Sequence, residues 1–201
     1  MVSHLQKYPG RAVEIQGIRH TYQQLQLYLN DSEWITDTIL NGFLSIFQSR
    51  NRVENVHICS SFEFCKIERN QNLDHLVAKL CSFHCLLMPI CIRKHWLVAQ
   101  FYPFCNQLDV YDSLYDGNEY LVSVFRRFWE TVRNIKGWKN DLVISFKSTP
   151  KQPDGDSCGL YCISFIKSLQ TGLPFLDLSG DLRSIRENIL YTLLETHLES
   201  Q

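Results

Sequence analysis

The sequence predicts a single α+β domain with a central mixed sheet flanked by helices. Three observations carry this. Hydrophobic residues make up 45% of the 201 positions, enough for a packed core and too many for a disordered chain. The apolar pattern alternates between helical spacing and strand-like runs, in the order helix, strand, helix, strands, helix, strand, helix, helix. No change of composition marks a linker, so residues 1–201 read as one domain.

The elements follow in order. Residues 1–28 give weak signals. From Asn30 the pattern sharpens: Asn30 or Asp31 offers a helix cap, and Trp34, Ile35, Ile39, Leu40, Phe43, Leu44 and Phe47 recur at helical spacing. Residues 53–67 alternate around Val56, Ile58, Phe62 and Phe64, which predicts a strand with a break. A short helix is expected over 73–83, a buried strand over 86–92 and a second strand over 95–102. After a turn at 103–106 comes a third strand over 107–111, and Asp116–Gly117 marks another turn. Leu121, Val124, Phe125, Phe128 and Val132 then share one face of a helix over 120–135, and 142–146 is a further strand. Residues 148–159 hold Pro150, Pro153, Asp154, Gly155 and Asp156 and read as a loop. Leu160, Ile163, Ile166 and Leu169 fit a helix ending near Gly172, and 182–198 reads as a last amphipathic helix.

Charge and cysteine use narrow the function. Twenty Lys and Arg oppose 21 Asp and Glu, which argues against a bulk polyanion binder, since nucleic-acid affinity comes mainly from neutralised phosphates. The longest apolar run, 85–92, is far short of the ~20 residues needed to span a bilayer. Met1 to Gly10 shows no apolar stretch after its charges, so no secretory signal is expected. Eight cysteines in such a chain read as reduced intracellular thiols, most of them small buried hydrophobes. The nearest metal-like cluster is Cys81-x-x-His84-Cys85, with no Cys-x-x-Cys pair beside it.

One cysteine stands apart. Cys158 lies where the polar loop meets the apolar helix, and the unpaired N–H groups of a helix N-terminus favour negative charge. The thiolate is the nucleophilic form of cysteine. Gly159 beside it permits close approach of another chain segment. A nucleophilic thiol needs a base. Of the seven histidines, His4, His20 and His197 lie near the chain ends or in weakly patterned stretches, His57 and His84 sit amid apolar residues, and His75 falls on the short helix. His95 opens a strand after Arg93-Lys94 and precedes Trp96. A third group should orient the imidazole. An antiparallel return of the next strand brings Asp112 alongside His95; Asp109 is the competing carboxylate, and the strand end favours Asp112. Donors for an oxyanion are the backbone N–H of Cys158 and the side chain of Gln152, although most loop glutamines are simply solvated.

These residues resemble the ubiquitin-like-protein-specific cysteine proteases, which include the SUMO (sentrin) proteases, deneddylases and viral or bacterial relatives. His95-Trp96 resembles the family's His-Trp at a strand start. Tyr111-Asp112-Ser113-Leu114 resembles its aspartate-serine element. Gln152-Pro153-x-Gly155-x-x-Cys158-Gly159 resembles its glutamine-to-cysteine loop. Trp34-Ile35-Thr36-Asp37 resembles the family's Trp-Leu-Asn-Asp, and residues 56–62 the strand that follows. The match covers about 25–170. The chain departs from the family pattern at Ile35-Thr36, Asp154 and Asp156-Ser157, the last putting a carboxylate near the nucleophile.

The resemblance implies a papain-like cysteine protease fold of the Ulp type and a cysteine-type peptidase of the deSUMOylase or deubiquitinase kind, with no cofactor. It makes Cys158 the nucleophile, His95 the base, Asp112 the orienter and Gln152 the oxyanion donor. Trp34 and Trp96 would clamp the Gly-Gly tail of a ubiquitin-like modifier, SUMO-type by preference, with Asp37 beside the tail. Only glycine lacks the Cβ that flanking indoles would reject. The expected partners are the modifier and its conjugates, with no nucleic acid and no membrane. A monomer in the nucleus or cytoplasm, or in a host cell for a viral or effector protein, is expected. The alternatives are a noncatalytic modifier-binding module, a viral-type processing protease of the same fold, and a zinc protein.

Overall fold

The computed structural model describes residues 10–30, 32–71, 73–178 and 180–199. Its centre is a five-stranded sheet whose spatial order follows the sequence: β3 (Val56–Ile58), β4 (Cys85–Ile92), β5 (His95–Tyr102), β6 (Gln107–Tyr111) and β7 (Val143–Lys147). The outer pairs β3–β4 and β6–β7 are parallel, and β4–β5 and β5–β6 are antiparallel. The expected central mixed sheet is therefore present.

Alternation along the strands explains why 85–92 reads as one apolar run. Leu86, Met88 and Ile90 of β4, with Leu97, Ala99 and Phe101 of β5 and Leu108 and Val110 of β6, face one core. Cys85, Leu87, Trp96, Val98 and Tyr111 face another. The first face is covered by α3 (Phe62–Arg69), α4 (Asp74–Ser82) and α5 (Glu119–Lys136). The second is covered by α2 (Asp37–Arg50), α6 (Cys158–Thr171) and α7 (Leu182–Glu199). A sheet buried on both sides has no polar face to break its runs.

Three expectations need correction. Residues 1–28 contain regular structure: a hairpin of β1 (Ala12–Ile15) and β2 (Ile18–Thr21), then α1 (Tyr22–Leu27), closed by a Thr21–Gln24 capping box. Residues 53–67 are not one interrupted strand. Only Val56–Ile58 pairs in the sheet, while Phe64 and Ile67 are spaced three apart on α3 and point into the core together. Finally, α2 begins at Asp37, so Trp34 and Ile35 precede the helix. Asn30 sits in a turn instead of capping α2, with its N–H on the Leu27 carbonyl. Asp31 lies outside the described residues.

Connections bring the chemistry to one end of the sheet. Arg93 and Lys94, both left-handed (φ 50° and 65°), make the two-residue turn that pairs Ile92 with His95. That turn type matches the twist of the strands it joins. Because β6 is antiparallel to β5, its end lies near the start of β5, with Tyr111 opposite Val98. Because β7 is parallel to β6, the chain leaves β7 at that same end. The loop over 148–157 crosses there and α6 starts at Cys158, so Gly159 lies inside the helix and not in the loop.

Candidate active site

His95 and Asp112 meet at the end of the sheet just described. His95 Nε2 donates to Asp112 Oδ1 at 2.7 Å. The same oxygen accepts from the N–H of Leu114 at 2.8 Å and of Tyr115 at 3.1 Å. The Tyr115 ring stands edge-on to the imidazole, with centroids 5.5 Å apart. Asp112 is 2% exposed. Burial works against its charge, but the His95 hydrogen bond and the two backbone N–H groups outweigh it and hold the carboxyl below its ordinary range. Behind it, Thr149 Oγ1 and Lys151 Nζ donate to the Asp112 carbonyl at 2.6 and 3.2 Å. The competing Asp109 points elsewhere, pairing with Lys147 at 3.2 Å and with Gln107.

With Nε2 on Asp112, Nδ1 is the nitrogen left to interact with Cys158. Burial alone would push His95 down. The hydrogen bonds to Asp112 and Cys158 and their charges overcome it and lift the imidazole to about 9. At neutral pH the ring is an imidazolium, a setting in which an adjacent sulfur is a stable nucleophile as thiolate. An NMR titration of His95 is expected to show this raised value. Asp112→Asn, which withdraws the carboxylate charge, is expected to bring it down. A His95 that titrates near 6.5 in both proteins would contradict the pairing. Since the cation is the form that pairs, activity should fall as pH rises through about 9.

Cys158 is the first residue of α6 and 1% exposed. The Ser157 carbonyl accepts from Leu160 and Tyr161, while no acceptor sits on the N–H of Cys158 or Gly159 among the described residues. Gln152 is buried, and its carbonyl oxygen accepts from Ser113 Oγ at 2.6 Å. One amide N–H goes to the Asp154 carbonyl at 2.7 Å, leaving the second for a ligand. Asp154 shapes the loop: its Oδ1 accepts from Asp156 N, Ser157 N and Ser157 Oγ at 2.7–2.9 Å.

The two tryptophans are held around the start of α6, Trp34 through Asp156 and Trp96 against Gly159. Trp96 is buried, and its Nε1 donates to the Ile35 carbonyl at 2.9 Å. Trp34 is half-buried, and its Nε1 donates to Asp156 Oδ1 at 2.6 Å. Asp37, exposed at the start of α2, accepts from Ser61 Oγ at 3.1 Å, and Ser61 is also held by Asn41. Three of the other thiols sit in settings that keep them protonated. Burial pushes Cys59 up to about 12 and raises Cys85 and Cys162. Among the described residues no group of three or more His, Cys, Asp or Glu gathers as for a metal, so Cys81, His84 and Cys85 do not form one.

Sequence reasoning missed Ser113 as the group that fixes Gln152, and Asp156 as the partner of Trp34. Ser113 sits inside the quoted Tyr111–Leu114 element, so a signal existed; nothing in the sequence tied Asp156 to a residue 122 positions away.

Comparison with known proteins gives concordant matches. Residues 33–197 match the Ulp1 protease family, C-terminal catalytic domain, further toward the C-terminus than the sequence motifs reached. A sentrin-specific protease of Caenorhabditis elegans is 24% identical over 153 residues. That stretch is 68% of this chain and 22% of that protein, so the chain matches about a fifth of the relative's length. Among solved structures, the yeast C-terminal Ulp1 protease domain in complex with Smt3, the yeast ortholog of SUMO, superposes with a TM-score of 0.71. It is 18% identical, over 96% of this chain and 95% of that one. The SUMO protease Ulp1 with its catalytic cysteine oxidised to a sulfenic acid gives 0.76 at 16% identity, over 97% and 94%. Among the described residues no helix is long and apolar enough to cross a membrane.

Proposed function

This chain belongs to the Ulp1 protease family, and from that premise we propose that it is a thiol hydrolase cleaving after the C-terminal Gly-Gly of a ubiquitin-like modifier. The observation that carries the reading is the His95–Asp112 bond of 2.7 Å beside a cysteine at a helix N-terminus. The whole chain acts as one catalytic domain, in the nucleus or cytoplasm. A SUMO-type modifier is favoured by the likeness to the Smt3-bound domain.

In this mechanism the sulfur of Cys158 attacks the carbonyl carbon of the last glycine, forming a C–S bond. The oxyanion is met by the Cys158 N–H and the second amide N–H of Gln152. His95 then gives its proton to the leaving amine as the C–N bond breaks, leaving a thioester. Water, deprotonated by His95, attacks that thioester. The C–S bond breaks and the modifier leaves with a free carboxylate. Asp112 holds the imidazole in its tautomer and supports its charge throughout.

Selectivity follows from access. A cysteine that is only 1% exposed is reached by a thin extended chain and not by a folded surface. Between Trp34 and Trp96 a Gly-Gly segment passes where a Cβ would clash. The test is hydrolysis of two modifier substrates, one ending in Gly-Gly before the scissile bond and one in Gly-Ala. The first is expected to turn over and the second to lose most of its kcat/KM. Equal rates on both would overturn the tail-reading role of the tryptophans.

A further inference from the structure

We propose that Asp156 is a positioning residue that sets the indole of Trp34 for the substrate tail. The loop that delivers the nucleophile then also fixes one wall of the tail channel. The proposal rests on the function proposed above.

Asp156 stands two residues before Cys158, where a carboxylate could serve the loop, the helix or a cation. It serves none of these. The loop N–H groups of Asp156 and Ser157 are taken by Asp154. Ser157 is the residue before α6 and makes no side-chain cap bond. Among the described residues no Lys, Arg or His forms an ion pair with Asp156. Its side chain accepts from Trp34 Nε1 at 2.6 Å, a short bond made to a charged acceptor.

The indole has one donor, so this bond decides how the ring is turned. The backbone beside it is held independently. The Ile35 carbonyl accepts from Trp96 Nε1, and the Ile35 side chain packs on Gly159. Loss of Asp156 should therefore free the ring while leaving the segment and the thiol in place. That separates the proposal from its rival, a carboxylate acting electrostatically on the Cys158–His95 pair, which would alter the thiol's reactivity toward any electrophile.

The experiment compares wild type with Asp156→Ala, Asp156→Asn, Trp34→Phe and the Trp34→Phe/Asp156→Ala double variant. Three readouts are taken: labelling by an electrophilic probe carrying a modifier Gly-Gly tail, alkylation of Cys158 by iodoacetamide, and the Trp34 Nε1–H signal by 15N NMR. Asp156→Ala should slow tail labelling about tenfold or more, the size of one charge-assisted hydrogen bond. It should move the Trp34 signal and leave the alkylation rate near wild type. Asp156→Asn, which keeps an acceptor, should recover most of the labelling rate. Trp34→Phe should match Asp156→Ala, and the double variant should be no slower than either single one, as for two residues acting through one bond.

Additive losses, a parallel fall in alkylation, an unmoved Trp34 signal, or Asp156→Ala labelled as fast as wild type would each overturn the proposal while wild-type labelling still stands. A wild type that no tail probe labels would overturn the proposed function, and this inference with it.

Discussion

His95→Ala is expected to lower kcat/KM on a Gly-Gly modifier substrate by about 10³-fold or more, the size of effect seen when a triad member is removed. Modifier binding should be retained, because the role proposed for His95 is proton transfer and not contact with the modifier's surface. The fold should survive too. Asp112 keeps the N–H groups of Leu114 and Tyr115 on its Oδ1 when the imidazole is gone, so its charge is not left bare. The measurement is steady-state kinetics beside a modifier-binding isotherm for both proteins. The same pair of measurements separates a protease from a noncatalytic module. A module would bind modifier without turnover and be indifferent to His95→Ala.

Gly159→Ala is the second large effect, and its cause is steric. A Cβ built on Gly159 lies 2.8 Å from Ile35 Cβ and 3.3 Å from Trp96 Cδ1. Ile35 Cβ is next to the backbone and cannot swing aside, so the 34–35 segment itself must shift. That segment carries Trp34 and accepts the Trp96 indole N–H, so both tryptophans proposed to read the tail move with it. The expected result is a loss of about 1–3 kcal/mol of stability from overpacking, read by denaturant unfolding. A fall in kcat/KM beyond what the lost stability explains should accompany it. Gly155→Ala is the matched control, since its Cβ meets nothing within 4 Å. Equal behaviour of the two variants would show that the close approach at Gly159 does not matter.

Much of the fold was legible because its strands and long helices are regular. His95–Tyr102 and Gln107–Tyr111 have the bounds that alternation and turn residues predict. Helix α5 extends one residue beyond the expected 120–135 at each end, and Asn118 caps its start by accepting from Leu121 N. The failures have local causes. Four-residue strands such as Ala12–Ile15 leave too few positions for a period to show. At Phe62 and Phe64, spacing by two imitates a strand, yet Phe62 is 55% exposed and only Phe64 and Ile67 enter the core. Trp34 and Ile35 extend the helical spacing of α2 by chance, while their task is to meet Asp156, Trp96 and Gly159 from outside the helix.

For the site, what could be read was the residue types and their order. His95, Asp112 and Cys158 each stand at an element's end and Gln152 in the proline- and glycine-marked loop before α6, and sequence patterns mark ends and loops through turns, prolines and glycines. The strand end favoured Asp112 over Asp109, and the sheet register agrees, setting Asp109 opposite Gln100 and leaving Asp112 beyond the last pair. The supports were not readable, because each joins distant segments. Ser113 reaches Gln152 across 39 positions, and Trp34 reaches Asp156 across 122. A hydrogen bond between side chains that far apart has no periodicity to betray it.

The most direct test of the account is labelling by an electrophilic probe bearing a ubiquitin-like modifier with a Gly-Gly tail, followed by mass mapping of the adduct. Wild type should form one covalent adduct, on Cys158, and Cys158→Ala should form none. Equal labelling of both proteins, or an adduct on another of the eight cysteines, would contradict the assignment of Cys158 as the nucleophile.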